Sequence, residues 1–167
     1  MEKSDFALLL LRTGFGLSMV AHGWNKIFSS TGLEGTSGWF ASLGMKWPKL
    51  QARVAALSEI VAGVLLSLGL FTGFSTAVFI SLMLVAIITV HWRVGYFIFL
   101  PNGGWEYCAA ILVVATSLSI VGPGNISLDH LFDLPTGYSL LALPLGLVLA
   151  LCHVAISYRP ASSSKSS

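Results

Sequence analysis

The chain has 167 residues, 55% of them hydrophobic and only 10% charged, with a formal net charge of +2 at pH 7. A soluble domain carries about 25% charged residues, so there is too little polar side-chain surface here to coat a water-soluble globule, and the composition selects the membrane class. The small net charge and the lack of a basic cluster exclude a nucleic-acid binder. Cys108 and Cys152 lie in apolar runs and form no CxxC, which reads them as small buried side chains and not as a redox pair. Residues 1–5 are mixed in charge and the apolar run after them is too long for a signal-peptide core, so no cleaved leader is expected.

Crossing the hydrocarbon takes about 20 apolar residues, within a range of roughly 17–25. The first candidate is 6–24, interrupted by Arg12, which is expected to snorkel outward. A polar loop, 25–51, follows. The second run is 52–70, with Glu59 inside it, and Thr72-Gly73 turns into a third, 74–92. After a Gly/Pro/Asn-rich loop over 94–104, a fourth run spans 105–121 and is stopped by Gly122-Pro123-Gly124-Asn125. Ser127 is placed to cap a short helix through Asp129 and His130. The fifth run is 138–158, with Pro144 near its start, and the Ser-rich tail 159–167 is expected to be disordered.

The runs are apolar all round, not alternating, so they are read as helices and not barrel strands. The expected fold is an all-α, polytopic transmembrane bundle in contact with the lipid bilayer. Small-residue stripes, Gly14 with Ser18 and Ala55 with Gly63, predict close helix packing and make a homodimer plausible. Lys26, Lys46, Lys49, Arg53, Arg93, Arg159 and Lys165 fall on one side if all five runs cross, which places the first loop and the C-terminus in the cytoplasm.

Alternation of the crossings has a chemical consequence. His22, at the end of run one, and His91, at the end of run three, return to the same membrane side. Glu59 lies about seven residues into run two, hence roughly 10 Å deep at 1.5 Å per residue. Glu106 opens run four, with Lys26 and Arg93 nearby. A carboxylate two turns into an apolar helix costs a few kcal/mol, so Glu59 has to be protonated, paired or facing a polar cavity. Arg12 is a poor partner, being near the far end of run one. His22 and Lys26 are four apart, on one helical face. Each of these groups also has a plainer reading: the histidines as hydrated helix ends or core, and Glu106 as an acid at a positive helix start. The five tryptophans suit an interfacial belt.

Mixed imidazole and carboxyl groups in a low-dielectric site suit proton exchange. That chemistry supports protonation of a quinone-type carrier or proton-coupled passage of a small solute. Two histidines on separate helices also raise a bis-His haem, and a metal site has no diagnostic spacing. No GxSxG, P-loop, dinucleotide fingerprint or CxxCH is present.

The ordered set His22-Gly23-x-x-Lys26, Leu43-Gly44, Glu59-x-x-x-Gly63 ahead of Leu68-Gly69-Leu70, Ala86 to His91, Gly104-x-Glu106-Tyr107 and Gly122-Pro123-Gly124-x-x-Ser127-Leu128-Asp129 resembles the DoxX family of small bacterial membrane proteins. The resemblance covers about 6–129 and implies a four-helix core over 1–135, to which 136–158 adds a further transmembrane helix. It implies a multi-pass protein of the bacterial inner membrane, a link to quinone and oxidative stress, and oxidoreductase work, the family name coming from a subunit associated with thiosulfate:quinone oxidoreduction. The site expected on these grounds has Glu59, His22, His91 and Glu106 as its catalytic groups. Lys26, Trp24, Arg93, Tyr107 and Asp129 would be ligand-binding. A proton-coupled carrier, or a non-catalytic scaffold for a soluble redox enzyme, are the alternatives.

Overall fold

A computed structural model describes residues 2–159; residues 160–167 of the expected disordered tail lie outside them. Helix α1 spans Lys3–Phe28, α2 Gly32–Ser42, α3 Pro48–Leu68 and α4 Thr72–Ala86. The last continues without a break into a π-helical turn, Ile87–His91. Then come α5 (Glu106–Val121), the single turn α6 (Leu128–Leu131), and a 3-10 stretch, Gly137–Leu141, that leads into α7 (Ala142–Ser157). No strand occurs among the described residues, only the isolated bridge Met45–Tyr158. Four helical spans are long and apolar enough to cross a membrane: Lys3–Phe28, Pro48–Leu68, Thr72–His91 and Gly137–Ser157.

The fourth expected run corresponds to α5, which is shorter, with 16 residues. That is about 24 Å against a hydrocarbon core of about 30 Å. Its start is set by the preceding loop, where Trp105 N donates to Gly95 O at 3.0 Å and Glu106 N to Tyr96 O at 2.8 Å. These bonds take up donors that a longer helix would need. The expected loop over 25–51 is likewise more ordered than its composition suggests. α1 runs on through Lys26 to Phe28, and α2 buries Ser37 and Phe40 against the bundle.

α1 and α3 cross in backbone contact. A Cβ on Gly16 would sit 2.6 Å from Gly63 O, and one on Gly63 would sit 2.6 Å from Gly16 O. Seven residues after Gly16 on α1, a Cβ on Gly23 would meet Ala56 O at 2.6 Å. Gly14, the expected packing residue, instead faces open space. The core between α1, α3, α4 and α5 is filled by Met19, Leu66, Phe79, Ile80, Ile111 and Leu118.

The end of the bundle away from Lys26 is tied by polar groups. Gly69 ends α3 at φ +64°, and a Cβ there would strike the Arg12 guanidinium. Arg12 does not snorkel: it is fully buried and donates through Nη2 to Ile126 O. Phe71 also sits in the left-handed region, at φ +50°, a conformation that costs a non-glycine residue about 1–3 kcal/mol. Asp129 offsets it by accepting from Phe71 N at 2.7 Å and Thr72 N at 2.9 Å. Ser127 caps α6 by accepting from His130 N, as its spacing predicts.

α7 packs along α4, with Gly146 against Ala77 O, and Ala142 and Ala150 buried. Its far end is stitched to the loop between α2 and α3: Lys46 N donates to Ser157 O at 2.7 Å and Arg159 N to Gly44 O at 2.9 Å. Cys108 is buried, but Cys152, expected to be buried too, lies on an exposed face of α7.

The crossing gives a direct check. Gly16→Val and Gly63→Val should each destabilise the protein by about 1–3 kcal/mol through overpacking. Gly14→Ala should stay within about 0.5 kcal/mol. Unfolding of the three variants in detergent reads the difference.

Candidate functional site

The continuation of α1 past the α3 crossing decides the site. Because Gly23 has no side chain, α3 lies against α1 at the level of Ala56 and Glu59. Lys26, almost one turn further along α1, then reaches across. Its Nζ donates to Glu59 Oε1 at 2.7 Å and to Oε2 at 2.6 Å. The two side chains are 19% and 10% exposed, so the pair is largely removed from solvent. Glu59 is therefore satisfied by a lysine on the neighbouring helix, and not by Arg12 or a histidine.

The pair lies in the wall of a cavity of about 500 Å³, a size suited to a small organic ligand. α1 contributes Met19, His22 and Asn25 beside Lys26; α4 and its π turn contribute Met83, Thr89 and His91; α5 contributes Tyr107 and Cys108. The α2 residues Thr36, Trp39 and Phe40 complete the wall. A π turn inserts one extra residue into the helical repeat and re-aims the side chains after it. Here it ends at His91, whose Nδ1 lies 2.7 Å from Gly103 O. A carbonyl only accepts, so Nδ1 carries the proton and Nε2 is left as the acceptor of the neutral ring. The Tyr107 hydroxyl is 2.9 Å from Ser18 Oγ, and its ring centroid is 6.2 Å from that of the exposed His22.

The arrangement joins a donating ammonium, an accepting carboxylate, an imidazole acceptor and a phenol with apolar walls. Such a set can both donate hydrogen bonds to a ligand and accept them from it. Among the described residues no three His, Cys, Asp or Glu side chains converge as a metal-ligand set.

His22, Lys26, Glu59, His91 and Tyr107 are thus brought together, and four other expected residues are not. Glu106 accepts from Ile98 N at 3.0 Å and holds the loop before α5. Arg93 is exposed and outside the cavity wall. Trp24 is 57% exposed and packs on Phe28, with ring centroids 4.1 Å apart and the planes tilted by 33°. Asp129 is at the other end of the bundle with both oxygens occupied. The α2 contribution was missed in the sequence, where eleven residues rich in glycine and hydroxyl groups carry no clear helical stripe.

Fold and site together define a small polytopic helical membrane protein with one polar cup near one end of the bundle. The DoxX family model matches residues 7–92, the stretch that carries His22, Lys26, Glu59 and His91, and the chain belongs to that family. It is 33% identical over 130 residues to "Putative oxidoreductase CatD" of Bacillus subtilis (strain 168), across 77% of this chain and 90% of that protein. It is 35% identical over 127 residues to "Inner membrane protein YphA" of Escherichia coli (strain K12), across 74% of this chain and 88% of that one. No solved structure matches it. With its four apolar spans the protein is a multi-pass component of the bacterial inner membrane.

The ion pair makes a separable prediction. Lys26→Met should cost about 3–5 kcal/mol, because it leaves a buried carboxylate without its partner. Adding Glu59→Gln should recover most of that loss. A double-mutant cycle of unfolding free energies in detergent measures the coupling.

Proposed function

We propose that the cup binds the head group of a quinone, or of a similar lipophilic redox carrier, and exchanges protons with it. The observation that carries this reading is the Lys26–Glu59 pair, set in a mainly apolar cavity beside His22 and His91. A charge pair is expensive to keep in such surroundings and adds no stability that apolar packing could not. Its retention is accounted for by a ligand that uses it.

Reduction of a quinone to the quinol takes up two electrons and two protons. The residues of the cup serve the protons; the electrons are supplied by a redox partner, for which a soluble enzyme at the membrane surface is the natural candidate. Lys26 donates to a ligand oxygen. Glu59, held by Lys26, takes and returns a proton as the oxygen changes from carbonyl to hydroxyl. His91 Nε2 delivers the second proton to the other oxygen, accepts from the hydroxyl so formed, and is recharged from the water phase. His22, on the exposed rim, passes protons between the cup and the water phase. The oxidoreductase wording in the name of the Bacillus relative agrees with a redox role.

Protein purified in mild detergent and extracted with organic solvent tests the reading. Mass spectrometry should find a quinone or related lipophile enriched in the wild type. Glu59→Gln should weaken retention by about 10–100-fold, the worth of a hydrogen bond to a charged group. A folded Glu59→Gln protein that retains the lipophile as well as the wild type would overturn it. So would a wild type that retains none and does not bind added quinone.

A further inference from the structure

A second cavity, of about 390 Å³, lies between α3, α4 and α7. Phe40, Met45, Ala55, Leu82 and Val85 line both this space and the cup, so the two adjoin through an apolar partition. Its own walls are mainly apolar, with Val54, Val78 and Leu149 among them. The hydroxyl of Ser58 is turned onto Ala55 O at 3.0 Å. Two more of its polar residues, Gln51 in the first turn of α3 and His153 near the end of α7, stand toward the bridged end.

Two features give this space a direction. α3 and α7 each pack on α4 but scarcely touch one another, which leaves a groove between them. At the end where α7 finishes, the Met45–Tyr158 bridge and its flanking backbone hydrogen bonds close the groove toward the surface. The opening that remains is sideways, between helices whose outer faces are apolar: Val61 and Val64 on α3, Leu147 and Leu151 on α7.

We infer that the groove between α3 and α7 is a lateral portal, and that it holds the apolar chain of the molecule whose head group occupies the cup. The inference rests on the proposed quinone reading and adds the route and the tail subsite. The occupant is an isoprenoid or alkyl chain because the groove meets the bilayer, its walls are apolar and five of its wall residues are shared with the polar cup. Lipid tails are as apolar as this cavity, so chain burial here adds little affinity. The groove acts by shape and position, and the test has to locate the chain.

The probe is a tetrasubstituted benzoquinone with a decyl chain ending in a diazirine; full substitution prevents thiol addition at Cys108 and Cys152. It is photolysed on the full-length protein in lipid nanodiscs, and labelled peptides are mapped by mass spectrometry. The expected labels fall on cavity residues such as Val78 and Leu149, and excess chain-free tetramethylbenzoquinone removes them. Ser81→Phe, which fills the second cavity and leaves the cup untouched, should reduce these labels to the lipid-facing background. Leu149→Phe does the same from the opposite helix should the first variant fold poorly. Labels confined to outward residues such as Val148 and Leu151, with chain-free quinone still bound in a Glu59-dependent way, would overturn the portal and leave the cup reading standing. Cavity labels unchanged by Glu59→Gln and by chain-free quinone would show a chain site independent of the cup, sinking the single-molecule proposal and the quinone reading with it.

Discussion

Lys26 reaches both oxygens of Glu59 because two helix backbones run in contact a turn away. Gly16, Gly23 and Gly63 lack side chains where the backbones of α1 and α3 meet, and a salt link short enough to satisfy a carboxylate inside an apolar helix then follows. In lipid there is no hydrophobic drive between helices, so shape has to supply the association. The link runs both ways. The crossing makes the ion pair possible, and the ion pair removes the largest electrostatic penalty against inserting α3 at all. The rest of the cup is added to that pair: the π turn of α4 brings His91, and α5 brings Tyr107.

The fold class was legible because an apolar run of fixed length has few solutions in a bilayer. The gathering of Glu59 with His22, Lys26 and His91 was legible for the same reason: Glu59 has no ordinary excuse, and alternation of the spans decides which other groups share its end. Residues whose meaning depends on loop geometry were not legible. Glu106 and Asp129 look like ligand carboxylates in the sequence, yet each accepts from backbone amides of a turn. Gly14 and Gly16 are equivalent until the direction of the α1 face is known. Arg12 looked like a snorkelling residue because nothing local announces the carbonyl of Ile126, more than a hundred residues away.

The two ends of the bundle use charge differently. At the Arg12 end, Asp5 accepts from Asn125, Arg12 donates to Ile126 and Asp129 clamps the turn between α3 and α4, so polar groups are spent on backbone partners. Asp5 and Asp129, with both oxygens occupied, have little capacity left for chemistry. At the Lys26 end the charged groups pair with each other, and each keeps hydrogen-bonding capacity toward an open volume. That asymmetry separates scaffold from site more clearly than residue type does.

The stitch between residues 44–46 and 157–159 joins parts of the chain made far apart in time. During synthesis α1 through α5 leave the ribosome first, and one wall of the groove beside α3 is absent until α7 is inserted. A nascent chain therefore displays the flank of α3 and α4 to the bilayer and to the insertion machinery. Closure by a few backbone hydrogen bonds at the surface needs α7 in place, whereas the ion pair and its cup are built from α1 to α5 alone.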